Sequence, residues 1–194
     1  MEREVNRVLN PKNLNEVFVK RELFGVVREK GKSLGVSKNK EEFLSQFGNL
    51  LFVVDEIIES EKITDEELEE IEEVNIMKKG GFNERIFLHW ANDDDGPGEG
   101  KRVSLETLIT DGFFKRIKNK GIKFSFERLV DVDFEKELLK KVKENGNNLV
   151  LVRTRKQFLS EFGDLLFYLD EIIKFKKITD SEIAEMETVK NKQK

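Results

Sequence analysis

Apolar residues recur at intervals of three and four along much of the chain, which is the spacing of amphipathic helices. The pattern is clearest over 155–175, where it is carried by Phe158, Leu159, Phe162, Leu165, Leu166, Leu169, Ile172 and Ile173. Further helices are predicted over 13–30, 41–60, 104–119 and 133–145, and short extended pieces at 85–90 and 123–130. The chain is therefore predicted to be all-α, with at most short β pieces.

Local signals predict where several helices begin and end. A threonine followed three positions later by Glu or Gln can form a capping box, and the chain has three such pairs: Thr64 with Glu67, Thr154 with Gln157, and Thr179 with Glu182. Glycine is a common left-handed stop, so Gly31 and Gly146 are predicted to end the helices that precede them. Gly48 and Gly163 fall inside helices at a cost of about 1 kcal/mol each relative to alanine. We expect these two glycines to mark close approach between helices.

The sequence contains an internal duplication. Residues 43–74 and 158–189 align without a gap at a shift of 115 positions, and 20 of the 32 pairs are identical. Between the copies, the segment 91–101 (ANDDDGPGEGK) has the acidic and Gly/Pro-rich composition of a linker. The predicted organisation is a first copy over 1–90, a linker over 91–103 and a second copy over 104–194.

Composition argues against several classes of function. The chain has 35 basic and 39 acidic residues, so it lacks the electrostatic footprint of a nucleic-acid-binding protein. It has no cysteine, which excludes disulfides, thiolate catalysis and zinc–sulfur sites. No run of about 18 apolar residues occurs, and the beginning MEREVNRVLN is too charged for a signal peptide. We therefore expect a cytoplasmic protein that binds neither nucleic acid nor membranes.

Three carboxylates of the second copy are candidates for a metal site. Glu161 and Asp164 lie one helical turn apart beside the apolar stripe. Glu144 lies on the preceding helix, which a short connection should bring back antiparallel. Clustered carboxylates repel one another unless a cation neutralises them, and an all-oxygen site suits Mg²⁺ or Mn²⁺. The alternative is that these acidic residues belong to a solvated helix face.

The order of elements, the Glu-x-x-Asp inside a long apolar helix and the segment KKGGFNERIFL (78–88) resemble the all-α nucleoside triphosphate pyrophosphohydrolases. This is the superfamily of MazG and phosphoribosyl-ATP pyrophosphatase. The resemblance implies a helical fold that binds magnesium through a Glu-Glu-x-x-Glu helix and a Glu-x-x-Asp helix. It also implies cleavage of a nucleotide between its α and β phosphates. Members commonly form helical dimers, so the tandem copies are expected to form an intramolecular pseudo-dimer, which could assemble further into a homo-oligomer.

The resemblance assigns roles to residues of the second copy. Glu161 and Asp164 match the Glu-x-x-Asp, and Glu144 matches the last Glu of the first motif, so these three are the expected catalytic and metal-binding residues. Lys140 and Lys141 stand at the two preceding Glu positions, and Lys190 stands where the family often has a lysine after the third helix. These lysines are the expected substrate-binding residues.

The two motif lysines leave three interpretations open. They could point away, with Lys141 pairing with Glu137, and leave a three-carboxylate site. They could abolish the site through their charge. They could also hold substrate phosphates directly, because magnesium binds readily through one or two carboxylates plus phosphates.

The first copy has lost nearly all of the motif residues and is predicted to be inactive. Only Glu29 remains, while Gly25, Val26, Gln46 and Asn49 replace the others. The first copy keeps the Gly-Gly-Phe segment that the second lacks, so the losses fit either one composite site or independent drift. Two functions follow: a magnesium-dependent nucleotide pyrophosphohydrolase, or an inactive pseudoenzyme that binds nucleotides or acts as a helical scaffold.

Overall fold

The computed structural model describes residues 11–92 and 102–191. Within these residues the chain is mostly helical and carries one small sheet. The helices are α1 (Pro11–Leu34), α2 (Lys40–Glu61), α3 (Asp65–Lys79), α4 (Asp111–Asn119), α5 (Asp131–Leu151), α6 (Arg155–Lys176) and α7 (Asp180–Asn191). The strands are β1 (Ile86–Asn92), β2 (Arg102–Ile109) and β3 (Phe124–Arg128), which form an antiparallel sheet in the order β2-β1-β3.

The helices of the two copies are interleaved. Helix α1 packs against α5, while α2 packs on α1 and α6 packs on α5. The third helix of each copy crosses over, because α3 packs against α6 and α7 packs against α2. Each copy therefore completes the helix packing of the other.

One main core joins the apolar stripes of both copies. Phe47 of α2 and Phe162 of α6 are completely buried in the same cluster, which also includes Val27 of α1 and Val142 of α5. Burying a side chain of this size contributes roughly 1.5–3 kcal/mol. A smaller cluster beneath the sheet is formed by Ile86, Leu88, Ile109, Phe114 and Ile117.

Two of the three predicted capping boxes are complete, with both of their hydrogen bonds present. Thr64 and Glu67 form the complete box at the start of α3. Thr179 and Glu182 exchange the same two bonds at α7. At α6 the Thr154 side chain accepts from Gln157 N, but the Gln157 side chain accepts instead from Arg153 N. That box is therefore only half formed.

The predicted stops at Gly31 and Gly146 are wrong, because both helices continue past them to Leu34 and Leu151. A Cβ added to Gly146 would lie 2.8 Å from Arg28 N, and one on Gly31 would lie 3.1 Å from a methyl carbon of Val142. These glycines allow α1 and α5 to cross closely instead of ending them. The prediction of close approach at Gly48 and Gly163 is confirmed: a Cβ at these positions would lie 2.9 Å from Met186 Cβ and 2.6 Å from Ile71 Cγ2, respectively.

The predicted helix over 104–119 is wrong in its first half. Residues 104–109 belong to β2, and α4 begins only at Asp111, where the side chain of Thr110 caps it by accepting from Phe113 N. The alternation of apolar and polar residues over 103–106 and the β-branched residues Val103, Thr107 and Ile109 suit a strand paired with β1. The extended pieces predicted at 85–90 and 123–130 are confirmed as β1 and β3.

The sheet spans the predicted copies. Strand β1 comes from the first copy, whereas β2 and β3 follow the predicted linker. The outermost residues of the linker, 91–92 and 102–103, lie in β1 and β2, and its residues 93–101 lie outside the described residues. Within the described residues, no helix combines the length and the apolar character needed to cross a membrane.

Candidate carboxylate site

The three predicted carboxylates lie on α5 and α6, two helices that pack against each other. Tyr168 stands one turn after Asp164 on α6, and its pKa is raised well above the ordinary value. Burial is the largest cause, and the negative charges of Asp164, Glu144 and Glu161 add to it. The negative charges of all three carboxylates thus act on one partly buried phenol.

Asp164 is paired with a lysine from the other copy. Lys79, the last residue of α3, donates from Nζ to Asp164 Oδ1 at 2.5 Å. The ammonium also lies 4.6 Å from the ring centroid of Phe167, within range of a cation–π interaction. The Lys79 side chain is 18% exposed and the Asp164 side chain 35% exposed, so this pair is partly shielded from solvent. The segment that contains the Gly-Gly-Phe sequence thus supplies a positive charge to the Glu-x-x-Asp helix.

Glu144 is paired with one of the two motif lysines. Lys141 Nζ lies 3.2 Å from Glu144 Oε2 and donates to Thr107 Oγ1 on β2 at 2.6 Å. Lys140 points away and pairs with Glu137 at 3.1 Å. The suggested pairing of Lys141 with Glu137 is therefore wrong. Glu137 pairs with Lys140, whereas Lys141 pairs with Glu144, three positions further along the helix.

Glu161 is held by two asparagines that sequence reasoning missed. Asn148 Nδ2 donates to Glu161 Oε2 at 2.9 Å, and Asn145 Nδ2 lies 3.3 Å from both the carboxylate and the carbonyl oxygen of Glu161. Asn145 is only 4% exposed. The signal was available in the sequence, because Asn145 and Asn148 are three positions apart and therefore lie on one face of the helix.

These residues in their present arrangement do not fit a divalent metal ion. Mg²⁺ and Mn²⁺ need oxygen lone pairs directed at the ion. Here Asp164 and Glu144 accept from ammonium groups and Glu161 accepts from amides. Within residues 11–92 and 102–191, no group of three or more His, Cys, Asp or Glu side chains is placed to hold a metal. Lysine and asparagine side chains thus occupy carboxylate oxygens that a metal ion would need.

The corresponding face of the first copy carries almost no net negative charge. Glu29 is exposed and pairs with Arg28 at 3.0 Å. At the other corresponding positions the chain has Lys30, Gln46 and Asn49. The absence of a metal site from this copy stays a prediction.

The third predicted substrate-binding lysine cannot be placed. Lys190 falls in α7, but its side chain is outside the described residues. Its counterpart in the first copy, Asn75, is buried and donates from Nδ2 to Gly163 O at 2.8 Å. This hydrogen bond joins α3 to α6 at Gly163, where the two helices are in close contact.

The Gly-Gly-Phe segment is anchored by the second copy. Phe82 is 3% exposed, and its ring lies 5.6 Å from that of Phe167 and 6.0 Å from that of Tyr168. Asp111, a buried residue that sequence reasoning also missed, accepts from the backbone nitrogens of Asn83 and Glu84 at 2.8 and 3.0 Å. These contacts fix the position of Lys79 just before the two glycines.

A cavity of about 630 Å³ opens between this segment and α6. Its aromatic lining comes from Phe82, Phe134, Phe167 and Phe175. Its acidic residues are Glu72, Asp170 and Glu171, and its basic residues are Arg85 and Lys174.

The charges of this cavity do not favour a polyanion. The pKa of Asp170 is raised, mainly by burial, with Glu72 and Glu171 adding to the effect. Lys174 is paired with Glu171, and Arg85 with Asp131. This cavity is poorly suited to a polyphosphate.

No protein-family model matches the chain, and no curated protein or solved structure shows significant similarity to it.

Proposed function

We propose that the helical part of the chain is an intramolecular pseudo-dimer of two MazG-like halves. Contacts that repeat at the 115-position shift of the duplication support this proposal. Gly146 lies against Arg28, and Gly31 lies against Lys143, which is the counterpart of Arg28. In an interface with two-fold symmetry, each contact between residues i and j recurs between j and i.

A second set of contacts repeats in the same way. Gly163 of α6 lies against Ile71 of α3, and Gly48 of α2 lies against Met186 of α7. Gly48 and Gly163 are counterparts, and so are Ile71 and Met186. The fused chain thus uses within one molecule the self-complementary surfaces that two identical subunits would otherwise share. Further homo-oligomerisation stays a prediction.

We propose that this pseudo-dimer does not hydrolyse nucleotides and serves as a helical scaffold or interaction module. The observation that carries this proposal is the engagement of Glu144, Glu161 and Asp164 by lysine and asparagine side chains of the protein itself. An ammonium group about 4 Å from a divalent ion costs several kcal/mol even at an effective dielectric constant near 20. Magnesium would therefore have to displace two ion pairs before it could bind.

The same contacts favour a scaffold over a nucleotide-binding pseudoenzyme. Lys140 and Lys141 each pair with a glutamate, so part of the positive charge that a phosphate would need is already compensated. A phosphate contact by Lys190 stays a prediction. Nucleotide binding without turnover is accordingly an outcome for experiment to decide.

A magnesium-dependent nucleotide pyrophosphohydrolase is the second candidate, and one observation favours it. The negative charges of Asp164, Glu144 and Glu161 all contribute to the raised pKa of Tyr168, and this shared effect supports the proposal that the three carboxylates act together. This candidate would convert a nucleoside triphosphate into a monophosphate and pyrophosphate, with Mg²⁺ or Mn²⁺ as the cofactor.

Release of pyrophosphate separates the two candidates. The purified chain is incubated with a panel of nucleoside triphosphates and Mg²⁺ or Mn²⁺, beside Asp164→Asn, which reproduces the Asn49 of the first copy. We expect no pyrophosphate above the background that both proteins share. A wild-type rate that disappears in Asp164→Asn would establish the hydrolase and refute the scaffold proposal.

A further inference from the structure

We propose that the cavity between the Gly-Gly-Phe segment and α6 binds an organic cation, with an ammonium or guanidinium group carried on an apolar chain. Its volume of about 630 Å³ is that of a small-molecule site. Three features of its lining point to this class of ligand: an unused amide oxygen, two carboxylates without a cation, and aromatic walls. The inference goes beyond the proposed scaffold function and needs neither a metal ion nor turnover.

A buried amide presents an unused acceptor to the cavity. Asn75 lines the cavity, is 8% exposed and donates from Nδ2 to Gly163 O at 2.8 Å. Within the described residues its Oδ1 receives no hydrogen bond, and no fully enclosed side-chain oxygen there lacks a partner, so this oxygen remains accessible. The second copy has Lys190 at the counterpart position. The first copy thus has an acceptor where the second has an ammonium, which favours a ligand with N–H groups.

Two carboxylates of the lining have no cation of their own. Within the part of the chain that the structure describes, neither Glu72 of α3 nor Asp170 of α6 forms an ion pair. Both residues have solvent-exposed surface, so a ligand can reach them. The pKa of Asp170 is raised mainly by burial, and the negative charge of Glu72 adds to it. A ligand cation would offset this repulsion.

The basic residues of the lining do not cancel that charge, because each has its own carboxylate. Lys174 bonds to Glu171 at 2.9 Å, and its side chain is 70% exposed. Arg85 pairs with Asp131, which lies outside the lining. The other two carboxylates therefore leave the cavity with a net negative charge, which attracts a cation and disfavours an anion.

The aromatic wall already holds one organic cation. The guanidinium carbon of Arg85 lies 5.0 and 5.6 Å from the ring centroids of Phe134 and Phe175. The rings of Phe82 and Phe167, whose centroids are 5.6 Å apart, line the same cavity. Aromatic faces attract cations and also pack against apolar chains. The lining thus suits both parts of the proposed ligand.

The test is a titration followed by nuclear magnetic resonance at neutral pH. The probes are hexylamine, which is protonated, and 1-hexanol, which has the same chain without the charge. The tripeptide acetyl-Ala-Lys-Ala-amide presents the same alkylammonium group on a protein side chain. The reporters are the side-chain amide of Asn75 and the backbone N–H of Gly81, since both residues line the cavity.

We expect hexylamine to bind wild type at least about 10-fold more tightly than 1-hexanol, because the ammonium adds charge-assisted hydrogen bonds. Glu72→Gln/Asp170→Asn should weaken hexylamine binding about 10-fold and leave 1-hexanol binding unchanged. The matched control, Asp55→Asn/Glu73→Gln, removes the same charge outside the cavity and should bind as wild type does. Circular dichroism checks that the variants fold, and Glu72→Gln alone replaces the double variant if it does not.

The two cationic probes distinguish the source of the ligand. Tighter binding of hexylamine assigns it to free small molecules, and tighter binding of the tripeptide assigns it to a side chain of another protein; either result supports the cation site. Equal binding of hexylamine and 1-hexanol, an equal loss in both double variants, or unchanged signals of Asn75 and Gly81 would overturn it. None of these readouts depends on pyrophosphate release, so failure of the proposed function is detected separately.

Discussion

Gly146 of α5 lies directly against the backbone of Arg28 in α1, so that a Cβ at this glycine would be 2.8 Å from Arg28 N and 2.9 Å from Arg28 Cα. Backbone atoms cannot move aside as a flexible side chain can. Glycine is therefore required at this crossing by the distance between two helices, although its backbone conformation is ordinary for a helix.

Gly146→Ala should destabilise the protein by about 1–3 kcal/mol, because overpacking against fixed backbone exceeds the gain in helix propensity. Chemical denaturation measures the change. The matched control is Gly25→Ala in α1, where a Cβ meets nothing within 4 Å and the substitution should stabilise by up to about 1 kcal/mol. Equal effects at the two glycines would contradict the close crossing of α1 and α5.

The ion pair of Lys79 and Asp164 should contribute to stability through coupling between the copies. Lys79→Met leaves a partly buried carboxylate without its cation and should cost about 1–3 kcal/mol. In a double-mutant cycle, Asp164→Asn should reduce that cost, since no charge then remains to be compensated. Arg128→Met, which removes an exposed pair with Glu84, is the control and should change stability by less than about 1 kcal/mol. Additive effects in the cycle would show that the pair is absent in solution.

Stability should fall at high pH because of Tyr168. Its pKa is raised in the folded protein, so the folded state binds this proton more tightly than the unfolded state does. The stabilisation is complete below the unfolded pKa of about 10 and is lost as the pH rises above it. Tyr168→Phe should flatten this loss between pH values of about 10 and 12.

Tyr168 is the only tyrosine of the chain, so ultraviolet absorbance of tyrosinate reports on it alone. In denaturant it should ionise near the ordinary pKa of about 10, and in the folded protein only at higher pH. Glu161→Gln should lower the folded value, because one of the negative charges that raise it is removed. A folded pKa near that of the denatured protein would show that the buried phenol and the three carboxylates are not together.

Local signals predicted much of the helical architecture because they act within a few residues. The capping box of Thr64 and Glu67 needs only the first turn of α3. The predicted helix ends at Gly31 and Gly146 were wrong, because the sequence alone does not distinguish a glycine that ends a helix from one that allows two helices to cross. Only the tertiary neighbour, Arg28 for Gly146, separates the two cases.

The carboxylates of the candidate site were predicted from the sequence, but the side chains that bond to them were not. The spacing of Glu161 and Asp164 on one helix is a local property. The pairing of Asp164 with Lys79 joins residues 85 positions apart, and it depends on how α3 packs against α6. Asn145 and Asn148 were missed because an uncharged amide carries no metal-site signal of its own, and its bond to Glu161 depends on how α5 packs against α6.

The central claim is that lysine and asparagine side chains, and not a metal ion, engage Glu144, Glu161 and Asp164. Anomalous diffraction from crystals soaked in Mn²⁺ tests it most directly, since the ion and the lysine side chains are seen together. The account predicts no anomalous peak among Glu144, Glu161 and Asp164, with Lys79 Nζ at hydrogen-bond distance from Asp164. A strong peak within about 2.3 Å of these carboxylate oxygens, with Lys79 displaced, would contradict it.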